Sequence, residues 1–504
     1  MTTIDLGNPA HYGLALLPEI VLSVWAMGLL LLDVFQKGAR SRPSSAAMPW
    51  ITLAGILVAA GANVVLLRLQ DGGTGGMIAV DAFRVFTNFV FLLAAALFVL
   101  ISTRYLDEAN LRLGELYVLV LFGTVGMMSF AGARDLMVMF IGLELMSLPV
   151  YVLTGLNRRD ARSAEGALKY FLLGAFSSAF FLFGIALTYG GAGSTNLEQI
   201  GVAVGVDGIA ASGLLVVATA LLAVGFGFKV AAVPFHMWTP DAYEGAPTPV
   251  TAFMAAGVKA AAFAGFVRVF LTAFPGLYDT WDAIAVWLAV LTMVAANLIA
   301  LVQGNVKRML AYSSIAHAGY LLVALAAASE LGAASLLFYV VTYTLMTMGA
   351  FAVVMTVARR GEERLDLDAY TGLGWRRPLL ATTMTIFLLS LAGFPFTGGF
   401  IGKVFILRAA VEKGLILLAV VLVLASLLSY FYYLRVAWYM WFRDPVADER
   451  AAEPLALAMI IALVIAAAGT VALGVYPGPL LELAETSAAG LLGVPAGLVG
   501  VGPR

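Results

Sequence analysis

Four ionisable residues stand out, because each sits in the middle of an apolar stretch. Glu144 lies in Gly142-Leu143-Glu144-Leu145-Met146-Ser147-Leu148-Pro149, and Lys229 in Gly225-Phe226-Gly227-Phe228-Lys229-Val230. Lys259 lies in Ala255-Ala256-Gly257-Val258-Lys259-Ala260, and Lys403 follows Gly398-Gly399 by one turn. A lysine stripped of water and counter-charge loosens its hold on its proton, and a nearby carboxylate restores that hold. A lysine beside a breakable carboxylate contact is therefore a proton switch. Arginine cannot serve, because it stays charged. On this reasoning Glu144 and Lys229 form the natural couple, and Gly225 and Gly227 would let a helix or water come close.

Two histidines add to the set. His236 follows Lys229 by seven residues. If the helix were continuous, that would be two turns along one face, a place for a relay near neutral pH. The alternative is a histidine that caps a broken helix. His317 sits in Ser313-Ser314-Ile315-Ala316-His317-Ala318-Gly319-Tyr320, where it either lines a wet path or bonds locally. Lys169 follows a basic loop by one turn and either snorkels or faces inward. Arg84, one turn after Asp81, reads as a local pair or a snorkelling side chain. Arg268, Arg408 and Arg435, with Glu19 and Asp33, fall near helix ends. The acidic run from Thr239 to Pro247 either collects protons or turns the chain.

The elements that position these groups are membrane helices. The chain has 504 residues, 62% hydrophobic and 12% charged, against about a quarter charged in soluble chains. The formal net charge of -1 offers nothing for nucleic acid to bind. With no Cys there is no disulfide, thiolate or cysteine-held cluster, and three His do not make a haem site. The first apolar run, flanked by acids, is not read as a cleaved signal peptide. A span needs about 20 apolar residues. That ruler predicts an all-α membrane protein of about fourteen helices in one domain, 1–504, at 14–35, 48–69, 81–102, 113–130, 135–156, 166–190, 211–238, 248–273, 281–303, 308–328, 333–357, 378–413, 415–442 and 455–477. The segment after Pro477 fits no element.

Pro234 should break the seventh helix, and Pro395 with Gly398 and Gly399 the twelfth. Val233-Pro234-Phe235-His236 and Phe394-Pro395-Phe396-Thr397 lie five helices apart, an odd number, so a repeated five-helix unit returns upside down. The expected units are 113–273 (helices four to eight) and 281–442 (helices nine to thirteen), with the broken helices at the transport site. Seventeen Lys and Arg fall in the odd-numbered loops and four in the even loops and tails. The bias puts the odd loops in the cytoplasm and both termini on the opposite side.

The stretch around Glu144, the run Lys229 to Pro249 (KVAAVPFHMWTPDAYEGAPTP) and Asn305-Val306-Lys307-Arg308-Met309-Leu310-Ala311-Tyr312-Ser313-Ser314-Ile315-Ala316-His317 resemble the antiporter-like membrane subunits of NADH-quinone oxidoreductase, respiratory complex I. The likeness covers nearly the whole chain. It implies a proton-translocating role for Glu144, Lys229, Lys259 and Lys403; His236, His317 and Lys169 stay candidate relays on the reading of the residues alone. Lys403 and the run Leu168 to Ser178 resemble the N-type paralogue. The M-type has Glu at the place of Lys403, and the L-type adds a long lateral helix for which the residues after helix fourteen leave no room. The resemblance further implies no redox centre or metal in this chain. NADH, FMN, iron–sulfur clusters and quinone belong to the parent complex. Partners would be its other membrane subunits, M-type and K-type neighbours included, in a bacterial inner membrane with periplasmic termini. Two rivals are a subunit of a cation/proton antiporter and a structural spacer whose charges are locking pairs.

Overall fold

A computed structural model describes residues 2–6, 8, 11–37, 46–71, 76–109, 111, 114–205, 213–357, 364–444 and 454–492. Arg40, Arg42, Arg112, Arg359, Arg360, Arg450 and Arg504, counted above in the loops and tails, lie outside them. Two short strands, β1 (Thr2–Ile4) and β2 (Leu69–Asp71), pair in parallel, Thr2 opposite Leu69. The rest is mainly helical. The first helices are α1 (Tyr12–Ala15), α2 (Leu17–Lys37), α3 (Met48–Leu66), α4 (Ala82–Glu108), α5 (Gly114–Gly132), α6 (Leu136–Thr154), α7 (Ala161–Ala192), α8 (Leu197–Val204), α9 (Gly213–Val230), α10 (Thr239–Gly245) and α11 (Thr248–Phe253). There follow α12 (Lys259–Thr272), α13 (Tyr278–Leu301), α14 (Val306–Ala326), α15 (Glu330–Val357), α16 (Leu373–Arg376), α17 (Pro378–Ala392), α18 (Gly398–Glu412), α19 (Ile416–Phe442), α20 (Leu457–Val475) and α21 (Gly478–Leu491).

Thirteen spans among the described residues are long and apolar enough to cross a membrane. The predicted twelfth helix is two short ones, α17 and α18, separated by residues 393–397, at the expected break. The predicted seventh ends at Val230, and α10 resumes at Thr239. The fully buried spans are α14 and the Thr248–Thr272 unit of α11, α12 and the π-helical turn Met254–Val258 between them. The outer helices show apolar side chains such as Phe35, Phe176, Leu417 and Leu457, as lipid contact requires. The segment after Pro477 forms α21, which packs on α15 and α4.

Close helix contacts depend on missing side chains. A Cβ on Gly126 of α5 would lie 2.2 Å from Met146 N, and one on Gly142 of α6 would lie 2.6 Å from Phe130 N. Two glycines thus let α5 and α6 meet backbone to backbone, which fixes the helix carrying Glu144.

One local pattern occurs twice. Asp135 caps the start of α6 and pairs with Asn196, through Leu136 N to Thr195 O (2.9 Å) and Leu197 N to Arg134 O (2.8 Å). Asn305 caps the start of α14 and pairs with Asp366, through Val306 N to Leu365 O (2.7 Å) and Leu367 N to Gly304 O (3.1 Å). The same spacing separates Asp135 from Asn305 and Asn196 from Asp366, with the acid and the amide exchanged.

Two ion pairs, one buried and one half-buried, join α2, α12 and the start of α4. Arg84 donates to Glu19 at 2.6 Å, and Arg268 grips Asp81 with both guanidinium nitrogens, at 2.8 and 3.0 Å. The expected local pair of Arg84 with Asp81 is corrected. Asp81 takes the backbone N–H of Arg84, and the Arg84 side chain is buried, not snorkelling. Arg435 donates to the carbonyls of Leu301 and Gln303 and so satisfies the end of α13.

Candidate buried-lysine site

Lys229, Lys259 and Lys403 are 5%, 2% and 6% exposed, and each ammonium meets polar atoms of another helix. None faces acyl chains.

Lys229 stands in the last turn of α9, where the orphan carbonyls favour a cation. Its Nζ donates to Ser147 Oγ at 2.7 Å and lies 5.4 and 5.5 Å from the ring centres of Tyr151 and Tyr170. Ser147 in turn donates to Leu143 O. Glu144, one turn before Ser147, accepts from Ser178 Oγ of α7 at 2.6 Å. Among the described residues Glu144 makes no ion pair with Lys229, although their charges interact. Ser147 holds the amine and Ser178 the carboxylate, and the expected Glu144–Lys229 couple makes no direct contact. Gly225 and Gly227 admit Phe181 and Phe235.

The break after Lys229 is well furnished. Ala231 takes a left-handed φ of 61°, the Val233–Pro234 peptide is cis, Trp238 Nε1 donates to Phe228 O at 3.2 Å, and Val233 N donates to Thr292 Oγ1 at 2.9 Å. His236 belongs to this break. The shared-face premise fails, because α9 stops at Val230, and His236 hydrogen-bonds neither Lys229 nor Lys259.

Lys259 follows the π-helical turn, a feature that often marks functional sites. It donates to both the carbonyl and the hydroxyl of Ser314 on α14. Ser314 begins an α14 face of Ser314, His317 and Tyr320. His317 Nδ1 lies 2.6 Å from Tyr339 Oη, and its Nε2 lies 3.1 Å from Tyr433 Oη. Tyr433 also bonds Ser313.

Lys403, on α18, reaches back across the second break. It donates to Leu391 O and Ala392 O, both at 2.9 Å, the free carbonyls at the end of α17. Its Nζ lies 4.6 Å from the Tyr320 ring centre. A half-helix end aimed at a cation is the arrangement expected of a transport site. Gly393, at φ 91°, turns the chain; a Cβ on Gly399 would lie 2.0 Å from Ser390 O, and one on Gly402 would lie 2.4 Å from Tyr339 Cδ2.

Lys169 lies apart, in the third turn of α7, bonded to Glu165 (2.6 Å) and Asp241 (2.7 Å). Arg308 joins the cluster through Asp241 (3.0 Å) and Glu244 (2.7 Å). Burial pushes the Asp241 carboxyl up, but the hydrogen bonds from Lys169 and Arg308 win and hold it below the usual carboxylate range. The acids of the Thr239–Pro247 run are thus already paired, and they tie α10 to α7 and α14.

Sequence reasoning missed Ser147, Ser178, Tyr339 and Tyr433 as partners. Only Ser147 carried a signal, one turn from Glu144.

The fold and the buried cations define a class: polytopic, antiporter-like membrane subunits. Residues 133–429 match the family described as "NADH:quinone oxidoreductase/Mrp antiporter, TM". NADH-quinone oxidoreductase subunit N of Trichlorobacter lovleyi is 47% identical, covering 93% of this chain and 96% of the relative. Subunit N 1 of Solibacter usitatus is 45% identical, covering 96% and 98%. A chain of respiratory complex I from Thermus thermophilus with bound aureothin is 37% identical, with TM-score 0.78, covering 93% of this chain and 99% of that one. A chain of the Mrp complex from Dietzia sp. DQ12-45-1b shares the fold, with TM-score 0.82 at 22% identity, covering 96% and 98%. The chain belongs to the NADH-quinone oxidoreductase subunit N family.

Proposed function

We propose that this chain moves protons across the membrane within NADH:quinone oxidoreductase, through Glu144, Lys229, Lys259 and Lys403. One observation carries the reading: three lysines, each almost wholly buried, are seated on neutral oxygens and not on carboxylates. A charge in hydrocarbon costs about 2.5–3.5 kcal/mol or more. Amines held by hydroxyls and carbonyls can exist with or without the extra proton; amines locked to carboxylates would not let it go.

Protons enter from the cytoplasmic side near α10 and reach Lys229, whose affinity follows its distance from Glu144. They pass by Lys259, Ser314 and His317 to Lys403 and leave on the far side or to a neighbour. Lys169 belongs to the inlet, and His236 to the hydrated break beside Pro234. The recurring Asp135/Asn196 and Asn305/Asp366 pattern supports two inverted units, 113–273 and 281–442, with Pro234 at one break and Pro395, Gly398 and Gly399 at the other. Subunits of M and K type flank the chain in a bacterial inner membrane, with both termini periplasmic. NADH, FMN, iron–sulfur and quinone chemistry takes place in other subunits.

The test is proton pumping by assembled complex carrying Lys229→Ala or Glu144→Ala. Pumping should collapse with assembly intact. Full pumping at normal quinone reduction would overturn the reading, and sodium exchange without NADH or quinone would favour the antiporter alternative.

A further inference from the structure

Beside Lys403 the core holds polar atoms that no protein group satisfies. Tyr320 Oη and Ser426 Oγ are both buried without a hydrogen-bond partner. The Tyr320 phenol faces Asn297 of α13 and Ser426 and Ser429 of α19, yet hydrogen-bonds none of them. Asn297 is itself engaged, donating to Met293 O at 2.7 Å and accepting from Tyr432 Oη at 2.9 Å. Its carbonyl oxygen keeps a second lone pair. Ser429 donates to Ser426 O at 2.6 Å.

Two orphan hydroxyls and a spare acceptor around one spot are what a buried water needs. Such waters sit where they make two to four hydrogen bonds to groups otherwise unpaired. We infer that Tyr320, Ser426 and Asn297 bind a single water, and that Tyr320 is through it a positioning residue for Lys403. The water accepts from the Tyr320 hydroxyl and donates to Asn297 Oδ1 and Ser426 Oγ. The phenol ring, 4.6 Å below the Lys403 ammonium, is then held at both ends. The same water joins Tyr320, through Asn297, to Tyr432, whose ring packs tilted against Tyr433, the partner of His317, with ring centres 4.5 Å apart. The α19 side of the bundle thereby links the His317 region to the Lys403 region, opposite the His317–Tyr339 contact.

The consequence for pumping rests on the lysine reading; the water site rests on geometry alone. Two measurements on the assembled complex separate them. The first is a map that resolves waters, for the parent and for Tyr320→Phe, which keeps the ring. Density within hydrogen-bond reach of Tyr320 Oη and Ser426 Oγ, lost in Tyr320→Phe, is expected. A dry site, or a direct Tyr320–Ser426 hydrogen bond, overturns the inference. The second is coupled turnover in H2O and D2O, with Lys403→Ala as reference. Tyr320→Phe should slow turnover several-fold and alter the solvent isotope effect. Wild-type rate and isotope effect in Tyr320→Phe, where Lys403→Ala abolishes pumping, overturn the positioning role. Normal pumping by Lys403→Ala would instead overturn the lysine reading and leave the water site standing.

Discussion

Lys229 donates to Ser147 at 2.7 Å, one helical turn along α6 from Glu144. The serine offers the amine a neutral seat, and the carboxylate waits beside it, held by Ser178. Removing the Ser147 hydroxyl leaves Lys229 with Glu144 as its nearest strong acceptor. A hydrogen bond to a charged group is worth about 1.5–3 kcal/mol, so Ser147→Ala should slow proton transfer about tenfold or more. Turnover-coupled pumping checks this, and Ser178→Ala should shift it in the same sense.

The break in the predicted twelfth helix requires glycine. A Cβ at Gly399 would meet Ser390 O at 2.0 Å, a backbone atom that cannot step aside. Gly399→Ala should cost about 1–3 kcal/mol or more through overpacking, read as lost subunit assembly. Gly61→Ala, where a Cβ meets nothing within 4 Å, should assemble as the parent does.

The Glu19–Arg84 pair is sealed, its side chains 5% and 0% exposed. Breaking such a pair from one side costs about 3–5 kcal/mol, while replacing both partners by apolar groups is often neutral. Arg84→Met should therefore lower thermal stability sharply, and Glu19→Leu combined with Arg84→Met should recover much of it. A thermal-shift series on the purified complex checks the sign.

The Asp241 cluster sets a pH window. A carboxyl held below its unfolded value adds stability that is present above that value and fades as pH falls through the lowered one. The tie from α10 to Lys169 and Arg308 should thus be fully formed at neutral pH and fail only in acid, below about pH 4. Asp241→Asn should be less stable than the parent at pH 7, with the gap closing in acid. A constant gap down to pH 3 would contradict this.

The membrane bundle was legible because lipid enforces it: long apolar runs and a lopsided distribution of Arg and Lys leave few alternatives. Both breaks were visible in Pro234 and in Gly398-Gly399, since proline and glycine act locally. The oxygens that receive the lysines were not. Ser314 and Leu391 meet Lys259 and Lys403 only once distant helices pack, and no spacing within a helix encodes that. Arg84 showed the same limit, since its neighbour in sequence, Asp81, is taken by Arg268. Helix α21 was missed because it is short and broken up by small residues.

Lys259 offers the sharpest test, because its seat on Ser314 touches no carboxylate, so replacing it breaks no ion pair. The measurement is protons translocated per electron by fully assembled complex carrying Lys259→Met in sealed vesicles. A proton path through the buried lysines requires that ratio to fall well below the parent's while assembly stays normal. A parental ratio, or damage confined to assembly, would show that the charges only hold the bundle together.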